Sequence, residues 1–261
     1  MPRLAANITY LFTEHPFLDR FAAAADHGFR AVEILVPYEH SSEDVTKRLA
    51  AHDLECALIN MPYGETAGGH TGLGAIPGRE AAFADDARRA LDYAQAIGGG
   101  RIHALAGVPD EHADRAQCRA VFVENLRAMA VQAADSGVTI LIEPLNTFDF
   151  PGYFLTHQDQ AHSIAADVGQ ANVKVQMDFY HCQIMEGNLA DKARRYMDGV
   201  GHIQIASVPG RVEPDAGEIN YPYLLDLIDE LGFDGWVGAE YIPQGVTAAG
   251  LGWAAPYGIT V

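Results

Sequence analysis

The feature that most constrains this chain is a repeated alternation. Short runs rich in Val, Ile, Leu and Ala recur about eight times, separated by longer stretches whose apolar residues return at helical spacing. The predicted strands are Leu4–Ile8, Ala31–Leu35, Glu55–Asn60, Arg101–Leu105, Val138–Glu143, Val173–Asp178, His202–Ala206 and Trp236–Glu240. Between them, Phe17, Phe21 and Ala24 share one helical face, as do Phe122, Leu126, Met129 and Ala133, and most of the charge falls on the other faces. Glycine closes several of these stretches, in His27-Gly28-Phe29, Ser136-Gly137-Val138 and Leu231-Gly232-Phe233, because a residue without Cβ enters the left-handed conformation at least cost. Parallel strands need a crossover, so strict β/α alternation favours an α/β fold of the closed (β/α)8-barrel type. The rival, an open doubly wound sheet, normally carries a Gly-rich phosphate turn after its first strand, and Ile8-Thr9-Tyr10-Leu11 has none.

At 261 residues and 49% hydrophobic, the chain can bury the core of one such barrel, and residues 1–261 read as a single domain without a linker. The formal charge of -18 is spread along the sequence, which repels phosphate backbones and anionic membranes. The expected partner is therefore a small molecule, with neither nucleic acid nor membrane; a homo-oligomer is compatible with this composition. No run approaches the roughly 20 apolar residues that span a bilayer, and Met1 leads straight into a strand, so a cytoplasmic location is expected. Cys56, Cys118 and Cys182 are odd in number and scattered, and read as free thiols; Cys182, in what looks like a polar loop, reads as filler. The connection after the third strand is long and glycine-rich, from Pro62 through Gly64, Gly68, Gly69, Gly72 and Gly74 to Gly78. It is either a surface insert or a lid over the mouth of the barrel.

Barrel enzymes build their sites at the C-terminal ends of the strands. Here four consecutive strands finish in polar residues: Ile142-Glu143, Met177-Asp178, Ile203-Gln204 and Ala239-Glu240. One carboxylate after an apolar run is usually a helix cap or a solvated loop residue. Four polar ends on adjacent strands meet around one mouth, where three carboxylates repel unless a divalent cation or a proton neutralises them. Oxygen donors suit Mg2+ or Mn2+ better than a thiolate-seeking metal.

Over nearly its whole length the sequence resembles the xylose isomerase-like TIM barrel superfamily, and within it the hydroxypyruvate isomerase group. The resemblance rests on Ile142-Glu143-Pro144-Leu145-Asn146 with Phe148-Asp149-Phe150-Pro151-Gly152, on Asp178-Phe179-Tyr180-His181, on Gly201-His202-Ile203-Gln204-Ile205-Ala206, on Gly217-Glu218-Ile219-Asn220-Tyr221 and on Gly235-Trp236-Val237-Gly238-Ala239-Glu240-Tyr241. It implies a metal held by Glu143, Asp178, Gln204 and Glu240, with Glu143 and Glu240 also transferring the proton. In related ketose epimerases a histidine stands where Gln204 stands, so the glutamine points to the isomerase branch. The sister 2-oxo-tetronate isomerases share the Gly-Glu-Ile-Asn-Tyr stretch and are similar around Val208-Pro209-Gly210-Arg211. The Asn146–Gly152 stretch favours hydroxypyruvate, whose conversion to tartronate semialdehyde passes through a charged enediolate that a cation stabilises.

Supporting residues follow from position. His181 matches the substrate-contacting histidine of the superfamily, and Arg211, after the seventh strand, is suited to bidentate pairing with a substrate carboxylate. Asn7, Glu33, Asn60, His70 and His103 sit at or beyond other strand ends and are candidates to line the pocket, although polar residues there also satisfy buried backbone. Glu218, at the head of a helix, reads as a partner of the positive helix terminus, outside the catalytic set. Competing readings are a 2-oxo-tetronate isomerase, a ketose 3-epimerase, a metal-dependent endonuclease, which would need a basic groove and more histidine ligands, and a noncatalytic binding barrel.

Overall fold

The computed structural model describes residues 1–64 and 71–260. Its eight strands are β1 (Arg3–Asn7), β2 (Ala31–Ile34), β3 (Glu55–Asn60), β4 (Arg101–His103), β5 (Thr139–Ile142), β6 (Val173–Asp178), β7 (Val200–Ile205) and β8 (Trp236–Ala239). They pair in sequence order, all parallel, and β8 returns to β1 to close the barrel. β3 and β6 coincide with the predicted runs, while β5 and β8 stop one residue early. Glu143 and Glu240 thus lie just past the last paired residues, at the rim where the ladder ends.

The helices are α1 (Arg20–Asp26), α2 (Ser42–Ala51), α3 (Glu80–Ile97), α4 (Arg115–Ala133), α5 (Gln158–Val168), α6 (Phe179–Met185), α7 (Leu189–Tyr196) and α8 (Tyr221–Glu230). The alternation is less strict than the sequence suggests. Two helices follow β6, and after β8 the chain winds through a 3-10 segment, Thr247–Tyr257, that carries Pro256. The helix α4 shows how the pattern works. Asp114 caps it by accepting from the Ala116 amide at 2.8 Å, and Cys118, Phe122, Leu126, Met129 and Ala133 bury one face. Cys182 is not in a polar loop: it belongs to α6 and is buried, as are Cys56 and Cys118. Gly28, Gly137 and Gly232 all carry left-handed φ after a helix, as their spacing predicts.

The described parts of the glycine-rich connection are pinned to the neighbouring strand end. The Gly74 and Ala75 amides donate to the carbonyls of Leu105 and Ala106 at 3.1 and 2.6 Å, and Gly72 backs onto Leu105 so closely that a Cβ would collide with it. His70, Gly68 and Gly69 lie outside the described residues. No helix among the described residues is long and apolar enough to cross a membrane.

Candidate active site

At the C-terminal mouth of the barrel a cavity of about 170 Å³ is lined by Tyr10, Asn60, Tyr63, His103, Glu143, Phe150, His181, Arg211 and Glu240, with Leu35, Leu105 and Leu145 as apolar walls. A larger and more open depression, of about 340 Å³, lies between Arg101, Lys174, Asp198 and Asp234 at the opposite end of the strands. It lies at the N-terminal ends of the strands, whereas barrel chemistry belongs to the C-terminal face.

Strand register delivers the acidic groups. Asp178, the last residue of β6, stands level with Gln204 on β7, and Gln204 is level with Gly238 on β8, two residues before Glu240. Asp178 also caps α6, its Oδ1 accepting from the Tyr180 amide at 2.7 Å, which leaves Oδ2 free. Glu143 and Glu240 are 4% and 5% exposed, and Asp178 and Gln204 are at least as buried. Glu240 Oε2 accepts from Arg211 Nη2 at 2.7 Å. Burial pushes the Glu240 carboxyl up to about 8 against the opposing pull of Arg211, and the Asp178 carboxyl up to about 6. Glu143 rises well above the usual carboxylate range, first through burial and then through repulsion by Glu240 and Asp178.

The donor set fits a cation. Glu143 Oε1 and Asp178 Oδ2 are buried acceptors without a hydrogen-bond partner, and ligand atoms of Glu143, Asp178 and His181 lie within 4.8 Å of one another. His181 is nevertheless a donor. Its Nδ1 accepts from the Asn146 backbone amide at 3.1 Å, and a backbone N–H only donates, so the ring hydrogen sits on Nε2. Burial holds the ring well below its ordinary pKa, hence neutral. Nε2 has no partner and lies 3.6 Å from Asp178 Oδ2, presenting a hydrogen-bond donor to the site. The candidate oxygen donors for a cation in this group are therefore the Glu143 and Asp178 carboxylates. His103 is neutral too, its pKa lowered to about 3 by burial, and its Nδ1 is 3.3 Å from Glu143 Oε2.

Arg211 reaches the cavity from the loop after β7 with a left-handed φ of 54°, its guanidinium stacked between Tyr10 and Tyr180 at 5.4 and 5.1 Å. Tyr180 is fixed in turn by its hydroxyl, which donates to Asp149 Oδ2 at 2.8 Å, and Asp149 also accepts from Asn146 Nδ2.

Of the residues expected to line the pocket, Asn60 and His103 do. Asn7 and Glu33 do not: both are fully buried inside the barrel, where they bond to each other at 2.9 Å. They correct the expectation because inward-facing positions recur at every second residue along a barrel strand, and only the last of them meets the cavity. Glu218 bonds to Gln183 Nε2 at 3.0 Å and takes no part in the cavity. The sequence reading missed Tyr10, Tyr63 and Gln176. Gln176 was detectable, since two residues before Asp178 on a strand is the same face.

A sequence profile of the xylose isomerase-like TIM barrels matches residues 21–257, and the chain belongs to that family. It is 57% identical to a 2-oxo-tetronate isomerase of Cupriavidus necator, over 98% of this chain and 99% of the relative. It is 45% identical to the hydroxypyruvate isomerase of Escherichia coli, over 98% and 100%. A crystal structure described as AP endonuclease, family 2, from Brucella melitensis superposes with a TM-score of 0.96 at 47% identity, covering 98% of this chain and 99% of that one. Within the family, this chain is an isomerase.

Proposed function

We propose that this isomerase interconverts a small 2-oxo-3-hydroxy carboxylate and its 2-hydroxy-3-oxo isomer. The observation that carries the reading is a pair of buried carboxylates, Glu143 and Glu240, lining a small cavity with Arg211, and a third, Asp178, close to Glu143; Glu143 and Asp178 each have an unpartnered oxygen. Hydroxypyruvate and 2-oxo-tetronate share the reacting atoms and differ by one hydroxymethyl group on C3. The 57% identical relative favours 2-oxo-tetronate as the first substrate, and the 45% identical relative supports hydroxypyruvate as the second. An endonuclease reading lacks a basic groove: the chain carries a formal charge of -18 and lines its cavity with Glu143, Glu240, Tyr10 and Tyr63 against the single guanidinium of Arg211.

In this reading Glu143 and Glu240 flank the substrate. One ionised carboxylate takes the C3 proton, and a carboxyl returns a proton to C2 while the O3 proton passes to O2. His181 Nε2–H donates to a substrate oxygen as negative charge develops on it, and Arg211 pairs with the substrate carboxylate between its two tyrosine faces. Glu143, Asp178, Gln204 and Glu240 would hold a divalent cation, Mg2+ or Mn2+, which would supply Lewis-acid stabilisation of the developing negative charge. Burial of the whole set keeps bulk water from quenching the intermediate. We place this activity in the cytoplasm, acting on a free metabolite.

The test is turnover of both acids by the Mg2+- or Mn2+-loaded protein in deuterated water, with free ketoses and abasic DNA as comparisons. Conversion with solvent deuterium at C2 is expected for the acids alone. Glu240→Gln and Glu143→Gln should each lower kcat by about 10²–10⁴-fold. Absence of conversion of either acid refutes the reaction, and near-native turnover by Glu240→Gln with cation bound refutes its role as a base.

A further inference from the structure

Beneath the cavity a second polar assembly crosses the barrel interior. Glu33, on β2, is wholly buried. Asn7 Nδ2 from β1 and Gln204 Nε2 from β7 both donate to Glu33 Oε2 at 2.9 Å, while His202 Nε2 contacts Oε1. The carboxylate reaches β7 because β8 offers Gly238 at that level; a Cβ on Gly238 would collide with both Glu33 oxygens. The bonding continues upward: Gln204 Oε1 accepts from Gln176 Nε2 at 2.6 Å.

A glutamine amide has an acceptor end and a donor end of nearly equal size, so its partners decide which end faces which way. A carboxylate only accepts. Facing Glu33, Gln204 must turn its NH2 group down into the barrel, and its oxygen is thereby turned away from Glu33, toward Gln176. That oxygen has two lone pairs, of which Gln176 uses one. Reversed, the same side chain would present two N–H groups beside the carboxylates, where they would repel a cation.

We propose that Glu33 is a positioning residue that fixes the amide polarity of Gln204 and so makes it an oxygen donor to the bound cation. The inference rests on the reading of Gln204 as a cation ligand. It requires a carboxylate at position 33, a side chain long enough to reach β7, and glycine at 238.

The experiment measures Mn2+ binding to the metal-free protein, by electron paramagnetic resonance of free Mn2+, for the wild type, Glu33→Gln, Glu33→Asp, Gln204→Ala and the exchange Glu33→Gln/Gln204→Glu. Circular dichroism checks that each is folded. Removing a partner that orients a ligand typically costs about 10–100-fold in metal affinity, and that loss is expected for both Glu33 variants. Glu33→Asp keeps the charge and shortens the reach, so it separates orientation from electrostatics and also decides the matter if Glu33→Gln does not fold. The exchange variant should return to within a few-fold of wild type, since a carboxylate at 204 presents oxygen whichever way it turns. If Gln204→Ala binds Mn2+ as the wild type does, Gln204 is no ligand and the underlying reading of the site fails. If Gln204→Ala weakens binding but Glu33→Asp does not, the ligand reading stands and the role of Glu33 is overturned. An exchange variant as weak as Glu33→Gln overturns it as well.

Discussion

Cation binding at this site should be a proton-release reaction, and the carboxyl pKa values set how steeply it depends on pH. Glu240 is raised to about 8 and Asp178 to about 6 by burial, and Glu143 stands well above the usual range. A carboxyl must be ionised to ligate, so below its pKa each bound proton weakens apparent affinity by about tenfold per pH unit. Between pH 8 and pH 6 Glu240 gives about a hundredfold loss, and below pH 6 Asp178 steepens the fall to about a hundredfold per unit. Isothermal titration with Mn2+ in two buffers of different protonation enthalpy reads both the affinity and the protons released. The same shifts act on stability with the opposite sense from an ordinary salt-bridged carboxylate. A folded-state pKa above the unfolded one means that the native chain holds the proton more tightly. The resulting stability is complete below the unfolded-chain pKa and is lost as pH rises through the folded pKa. The metal-free protein should therefore melt at a lower temperature at pH 8.5 than at pH 5, and added cation should raise Tm most at the alkaline end. Equal Mn2+ affinity at pH 6 and pH 8, with no buffer-dependent heat, would show that these carboxyls are not the ones that hold the cation.

Arg211→Ala should raise KM by roughly 10–150-fold, the loss of one charge-assisted contact of about 1.5–3 kcal/mol, with a smaller effect on kcat; steady-state kinetics with unchanged KM would return Arg211 to partnering Glu240 alone. His181→Ala removes the Nε2–H donor and should lower kcat by roughly 10²–10³-fold, as losing a donor to developing negative charge does. Asn146→Ala should cost far less, because the backbone amide at 146 still fixes the tautomer; equal losses for the two variants would refute that assignment. Phe122→Ala empties a fully buried site on α4 and should cost about 3–5 kcal/mol in denaturant unfolding without changing KM, since Phe122 lines no part of the cavity.

The strands and the identity of the rim residues were legible because period and position carry them. A run such as Val173–Asp178 announces its length by its apolar content, and the residue that ends it must lie at the mouth once the sheet closes. What a linear pattern cannot show is which inward residues meet across the barrel. Glu33 and His202 are 169 positions apart and touch because β2 and β7 face each other through the interior, over the gap that Gly238 leaves. From the sequence alone, Glu33 at the end of a strand is indistinguishable from Glu143 at the end of another. Their difference lies in depth: Glu143 and Glu240 follow the last paired residue, whereas Glu33 still sits within β2, level with Asn7 of β1. Inward-facing positions recur every second residue, about 6.6 Å apart, so one inward step moves a carboxylate from the cavity to the packed layer below it. There its neighbours are amides and an imidazole, not the substrate. The glycine at 238 is the local sign of that layer, since a strand interior loses packing with glycine unless another group needs the space.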